Sequence, residues 1–189
     1  MPTANSQQPT AIKRIGLFGG SFNPIHNGHI QLARQLKERA GLDEVWLMVS
    51  PQNPLKQGQD LLSDEARLEM ARAAVKDEPD IIASDYEMHL PRPSYTWNTL
   101  EALRQDYPER TFVLMIGGDN WALFDRWYHA DDIRQNYEIV VYTRTPGDEG
   151  FIDISSTDIR QRIREGRDIR RLVPKAVAEM IEENNYYKE

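Results

Sequence analysis

The sequence predicts an α/β fold, a doubly wound parallel sheet carried by a single domain. Three observations lead there. Apolar runs of strand length, Ile15 to Phe18, Glu44 to Val49, Thr111 to Ile116 and Glu138 to Tyr142, alternate with segments whose apolar residues recur at helical spacing. Strand–helix–strand successions of this kind imply right-handed crossovers and parallel pairing. Turns rich in glycine or serine, at Gly19, Gly117 and Ser155, follow such runs, and in this architecture they share the carboxyl edge where ligands bind.

The elements follow in order. Residues 1–10 are polar and read as a loose tail, so the domain is expected over 11–189. The first strand is expected over Lys13 to Phe18. The helix after it, Asn27 to Ala40, is stopped by Gly41. Glu44 to Val49 is the second strand, and Ser50 to Asp60 is a polar loop with Pro51, Pro54 and Gly58. Ser63 caps a helix over Asp64 to Lys76. Ile81 to Ala83 is a short third strand, and Glu87 to Ser94 a loop. A helix then runs to about Tyr107, with Thr96 as its expected N-cap. Trp97, Leu100 and Leu103 at i, i+3, i+6 fit a plain core face of that helix.

Thr111 to Ile116 is apolar without a break, as suits a central strand covered on both faces. Gly117-Gly118-Asp119-Asn120 ends it; Asp119 is placed either to accept from ribose hydroxyls or to cap a helix. The aromatic residues from Trp121 to Tyr128 fit a core or a ligand wall. Ala130 to Gln135 is a short helix, Glu138 to Tyr142 a fifth strand, and Phe151 to Ile154 a sixth. Ser155 with Asp158 has capping-box spacing; the helix it opens runs to about Glu165 and stops at Gly166. Pro174 opens the last helix, with Val177, Met180 and Ile181 on its buried side.

Composition bounds the function. The 189 residues are 40% hydrophobic and 28% charged, which is globular and large enough for a sizeable core. A net charge of −7 argues against nucleic acid as a partner. No run approaches the roughly 18 apolar residues of a bilayer span, so no membrane partner is expected. The absence of cysteine suits a reducing compartment, and a cytoplasmic protein is expected. A homo-oligomer is left open.

Chemistry concentrates in Gly19-Gly20-Ser21-Phe22-Asn23-Pro24-Ile25-His26-Asn27-Gly28-His29. Two glycines let a ligand approach the backbone closely. The helix start offers N–H groups and a positive dipole end, and two imidazoles three residues apart add donors. The pattern reads as a polyphosphate cradle. Zinc would need a third and usually a fourth ligand; the chain has no cysteine, and His89 and His129 are remote in sequence, so no metal site is expected. The Gly-Lys-Ser/Thr ending of a P-loop is absent. Lys56 in the loop after the second strand fits a phosphate contact or a solvated lysine. From Ser155 to Lys175 seven basic residues face three acidic ones, a local positive stretch in an acidic chain. No nucleophile-plus-base pair or paired carboxylates stand out. The chemistry that fits is attack by an already anionic phosphate on a nucleotide α-phosphate, which requires positioning and charge stabilisation but no enzymic base.

The His-Asn-Gly-His stretch, with Ile154-Ser155-Ser156-Thr157-Asp158-Ile159-Arg160, resembles the two signature motifs of the nucleotidylyltransferase superfamily related to class I aminoacyl-tRNA synthetases. Pro93 to Leu100 and Gly117 to Trp127 resemble the nicotinate-nucleotide adenylyltransferase branch, and Ser50 to Lys56 a loop of that family that covers the substrates. The resemblance spans nearly all of the chain after residue 11. It implies a Rossmann-like fold and adenylyl transfer from ATP to nicotinate mononucleotide, giving deamido-NAD and pyrophosphate, with Mg2+ accompanying ATP. It implies His26, His29 and Arg160 as catalytic residues. ATP would be bound by Gly19, Gly20, Ser21, Phe22, His26, His29, Gly117, Asp119, Ser155, Ser156, Thr157 and Arg160, and the mononucleotide by Lys56, Tyr95, Thr96 and Trp127. Many relatives carry Asp where this chain has Asn98, and often where it has Asn23. The rivals are another adenylyltransferase of the superfamily, with a pantetheine-phosphate or nicotinamide acceptor, and a nucleotide-binding regulator without catalysis.

Overall fold

The structure, a computed structural model, describes residues 11–51, 61–143 and 153–188. Five parallel strands form one sheet: β1 (Lys13–Gly20), β2 (Glu44–Val49), β3 (Ile81–Ser84), β4 (Arg110–Gly117) and β5 (Glu138–Tyr142), in the order β3-β2-β1-β4-β5. The helices are α1 (Asn27–Arg39), α2 (Asp64–Val75), α3 (Thr96–Asp106), the single turn α4 (Gly118–Trp121), α5 (Ala130–Asn136), α6 (Ser156–Arg164) and α7 (Lys175–Glu183). The chain winds outward from β1 to β3 and then crosses to β4 on the other side. The switch between β1 and β4 leaves a crevice at the carboxyl edge.

Alternation along the strands divides the core in two. Phe18, Val45, Leu47, Val49, Val113 and Met115 point to one face, where Ile30, Ala33 and Leu36 of α1, Met70 and Ala71 of α2, Ile159 of α6 and Val177 and Ile181 of α7 cover them. Ile15, Leu17, Trp46, Met48, Phe112, Leu114 and Ile116 point to the other, under Leu100 and Leu103 of α3, Ile133 of α5 and Phe124 of the 3₁₀ turn before it. Gly16 is required by this packing: a Cβ there would lie 2.5 Å from the Met115 sulfur and 2.6 Å from Leu42. The expected helix stops hold, since Gly41 and Gly166 follow α1 and α6 with φ of +59° and +67°.

Some expectations change. The sixth strand over Phe151 to Ile154 is not formed by its described residues, Asp153 and Ile154; residues 151 and 152 lie outside the described ones. Ser155 therefore does not continue a sheet strand there, and its helix is placed by side-chain bonds instead. Tyr95, not Thr96, is the N-cap of α3, and Thr96 is its first helical residue. The expected loop from Glu87 begins as a 3₁₀ turn, Tyr86–His89. The turn at Gly117 continues as α4. Among the described residues, no helix is long and apolar enough to cross a membrane.

Candidate active site

A cavity of about 430 Å³ opens in the crevice at the switch point. Gly19 and Gly20 at the end of β1, Ile116 and Gly117 at the end of β4, and Ser50 and Pro51 after β2 form its edge-strand side. Tyr95, Thr96 and Thr99 of the α3 region, Glu87, Arg92 and Trp127 complete the wall. A Cβ at Gly19 would meet nothing within 4 Å, so the backbone there is open to a ligand. Six of the expected mononucleotide and ATP residues, Gly19, Gly20, Gly117, Tyr95, Thr96 and Trp127, thus share one cavity. Lys56 lies outside the described residues.

Beside the cavity stands the histidine turn. His26 caps α1 and is 1% exposed, while His29 is half-buried. Their rings stack at 3.6 Å, and the His26 amide donates to His29 Nδ1 at 3.2 Å. An accepting Nδ1 places the proton of neutral His29 on Nε2, which makes this ring a donor at its outer nitrogen. Phe22, expected in the ATP site, is 2% exposed and packs edge-on against His29 at 5.0 Å. Its backbone takes the left-handed φ of +47°, which turns the chain after Gly20. Phe18 touches both His29 and Tyr142, and Tyr142 lines the cavity, so the histidine turn and the cavity share one aromatic wall. The first amide of α1 is already engaged, donating from Asn27 to the Leu172 carbonyl at 2.9 Å.

The second motif is clamped onto the first. Arg160 Nη1 donates to the Asn23 carbonyl at 2.7 Å, and Ser156 Oγ donates to the Pro24 carbonyl at 2.9 Å. Arg160 Nη2 also reaches Thr157 Oγ1 at 3.4 Å, and its buried Nε–H has no hydrogen-bond partner among the described residues. Ser155 caps α6, its hydroxyl accepting from the Asp158 amide at 3.0 Å; Asp158 turns its own carboxylate to Arg162. The N-terminus of α6 therefore stands next to that of α1, with Ser155 and Thr157 exposed. Asp119 is exposed on α4 and does not line the cavity, whereas its neighbour Asn120 does. Ser21 is exposed, with its carbonyl turned inward onto Arg67.

Sequence reasoning missed several residues here. Arg67 is completely buried on α2 and bonds to three segments around the site. A signal existed: Arg67 precedes Met70, Ala71 and Ala74 at i+3, i+4 and i+7, on the apolar stripe itself. Burial pushes its pKa down, and Asp64 opposes that. Glu87, on the cavity wall, accepts from Thr99 at 3.0 Å and is bonded by Ser50; burial pushes its carboxyl above the usual range against these bonds. Tyr187 donates its hydroxyl to Asn23 Oδ1 at 2.7 Å inside the core. No pattern in the sequence marked that pairing, which joins residues 164 apart.

Among the described residues, no group of three or more His, Cys, Asp or Glu side chains could hold a metal ion. The donor set is instead amides, hydroxyls, imidazole and guanidinium, which suits anionic oxygen.

Comparison with known proteins agrees with this geometry. A cytidylyltransferase-like family model matches residues 17–162. A protein of Bacteroides fragilis named probable nicotinate-nucleotide adenylyltransferase is 47% identical, over 89% of this chain and 90% of its own length. One of Flavobacterium johnsoniae with the same name is 41% identical over 93% and 99%. Among solved structures, a nicotinate-nucleotide adenylyltransferase structure of Vibrio parahaemolyticus superposes with a TM-score of 0.75 at 27% identity, covering 94% of this chain and 96% of that one. A Plasmodium falciparum nicotinic acid mononucleotide adenylyltransferase complexed with NaAD shares the fold at a TM-score of 0.73 and 19% identity, covering 93% and 97%. This chain therefore belongs to the cytidylyltransferase-like family, in its nicotinate-nucleotide adenylyltransferase branch.

Proposed function

We propose that the protein transfers the adenylyl group of ATP to nicotinate mononucleotide, releasing pyrophosphate and forming deamido-NAD. The observation that carries this reading is the clamp between Arg160, Ser156 and the Asn23-Pro24 backbone. It sets two helix N-termini, an imidazole donor and a guanidinium beside a cavity with glycine edges and an aromatic wall. Such a surface holds a triphosphate on one side and a flat nucleotide base on the other.

In this reading an oxygen of the mononucleotide phosphate attacks the α-phosphorus of ATP in line. The new P–O bond forms as the bond from the α-phosphorus to the bridging oxygen breaks, and pyrophosphate leaves with that oxygen. No proton has to be removed from the attacking phosphate near neutral pH. His29 donates from Nε2 to the transferring phosphoryl group, where charge accumulates. Arg160 and the hydroxyls of Ser155 and Thr157 hold the terminal phosphates. His26, stacked beneath His29, holds that ring in its donating orientation. Thr96, Tyr95 and Trp127 line the acceptor side, and Trp127 offers a flat face to a pyridine ring. The residues present fit magnesium that arrives on the triphosphate rather than an ion held by the protein. When bound, it shares the charge of the departing pyrophosphate.

The test is pyrophosphate release from ATP with nicotinate mononucleotide, nicotinamide mononucleotide and phosphopantetheine in turn. Fastest turnover with the first supports the reading. No release with the first, or faster release with phosphopantetheine, overturns it.

A further inference from the structure

We infer that Arg67 is a positioning residue for this reaction, a buried clip that sets the spacing of the two strand ends between which the substrates meet. The inference rests on the adenylyl-transfer reading above.

Arg67 is 0% exposed and does not line the cavity, yet two of its bonds run to the strand ends at the site. Nη1 donates to the carbonyls of Ser21 at 2.6 Å and Ser50 at 2.9 Å. Those residues follow β1 and β2 just beyond the sheet. The last rung between the two strands is the Ser50 amide on the Gly20 carbonyl at 2.9 Å. Past that rung the ladder stops, and two carbonyl oxygens aim at one point. Without a cation between them they repel, and the strand ends are free to diverge. Gly20 and Ser50 both line the cavity, so that divergence would change its width.

The same guanidinium holds two further elements. Nε donates to the Leu62 carbonyl at 3.0 Å, and the Leu62 amide in turn bonds Asn23 Oδ1 at 3.3 Å. Asn23 is the residue whose carbonyl receives Arg160. Nη2 bonds Asp64 Oδ1 at 2.6 Å, and the other oxygen of Asp64 receives Arg92 at 2.8 Å. Arg92 lines the cavity, so Asp64 passes the position of Arg67 on to a cation at the acceptor side. One side chain thus sets the glycine turn, the Arg160 clamp and Arg92 relative to one another. Mutual alignment of two anionic substrates is what such a clip controls, and misplacement by about 1 Å costs on the order of 100-fold in rate.

Arginine is required by donor count. Four acceptors surround it, and lysine has three N–H donors on a compact head, against five in a rigid fork.

The experiment compares wild type with Arg67→Lys, Arg67→Met and Asp64→Asn. For each, thermal melting gives the folded fraction, calorimetry gives the Kd of a non-hydrolysable ATP analogue and of nicotinate mononucleotide separately, and pyrophosphate release gives kcat per folded molecule. The expected result for a folded Arg67→Lys is kcat lowered about 10- to 100-fold, with each single-substrate Kd changed by less than about 5-fold. Folded Arg67→Met should fall at least as far, and Asp64→Asn should show a smaller drop in kcat. A folded Arg67 variant with near-normal kcat per molecule overturns the clip. So does failure of both Arg67 variants to fold together with normal kcat in Asp64→Asn, because Arg67 would then serve stability alone. Wild type inactive with nicotinate mononucleotide would fault the functional reading instead.

Discussion

At the scale of single residues, position 23 shows why one atom type matters more than charge. Asn23 Oδ1 accepts from the Leu62 amide and the Tyr187 hydroxyl. An amide N–H can only donate, so the side-chain oxygen has to face it. Asp supplies the same oxygen. Asn23→Asp is therefore expected to keep the melting temperature and kcat close to wild type. Asn23→Leu leaves the buried Tyr187 hydroxyl and the half-buried Leu62 amide unmatched and should cost about 1–3 kcal/mol for the buried donor, read by urea denaturation. His29 is a residue of the other kind. His29→Ala should lower kcat by about 10²–10³-fold, the scale for losing one donor to a developing oxyanion, with KM values little changed. It also leaves the His26 amide without its imidazole acceptor, so a destabilisation of about 1 kcal/mol should accompany it. Near-normal kcat in a folded variant would remove the assigned role.

At the scale of elements, α6 is docked through polar bonds as well as through Ile159. Arg160→Ala removes the bond to the Asn23 carbonyl and a phosphate donor at once. Its expected signature is a larger loss of affinity for ATP than for the mononucleotide, with only partial recovery in Arg160→Lys, because a point charge replaces a fork. Equal losses for both substrates in steady-state kinetics would assign Arg160 to structure alone. Glu87 joins the start of α3, through Thr99, to the end of β2, through Ser50. Burial raises its pKa above the ordinary 4.5 despite those bonds. The folded protein thus holds this proton more tightly than the unfolded chain does. Stability contributed by the neutral form is fully present below pH 4.5 and is lost as pH rises through the raised value. Glu87→Gln keeps an acceptor for Thr99 and abolishes the charge. Its melting temperature should exceed that of wild type at pH 7, with the difference vanishing as pH falls below the ordinary carboxylate range. A difference that stays constant with pH would refute the assignment.

At the scale of the whole molecule, the cavity lies where winding direction changes, and its walls belong to both cores. Trp127 is the example. It lines the cavity, yet it also packs on the second core, 5.2 Å from the Phe124 ring. It therefore has one place on the cavity wall and another in the core. Trp127→Ala should raise KM for nicotinate mononucleotide about 5- to 150-fold, the range of about 1–3 kcal/mol for one aromatic stack. KM for ATP should stay nearly constant while the melting temperature falls. Parallel kinetics and melts separate the two effects, and unaltered mononucleotide kinetics would sink the stacking role.

Much of this architecture was legible in the sequence. Apolar runs of strand length alternating with helical stripes marked β1 to β5 and the order of the helices, because a strand buried on both faces is apolar throughout and a helix repeats every 3.6 residues. Glu44–Val49 and Glu138–Tyr142 were read with their observed limits. The glycine-histidine turn and the Ser155–Arg160 stretch were visible as local chemistry. What their partners are depended on contacts between residues far apart in the chain. Arg160 meets Asn23 across 137 positions, Tyr187 meets the same residue across 164, and Arg67 meets Ser21 across 46. A hydrogen bond is set by distance and angle, and neither is encoded by local spacing once the chain has turned. The burial of His26 beneath His29, the place of Thr96 inside α3 and the loss of Asp119 from the cavity wall were therefore decided by tertiary packing. The same packing turned a charged residue on an apolar stripe, Arg67, into the centre of the site's frame.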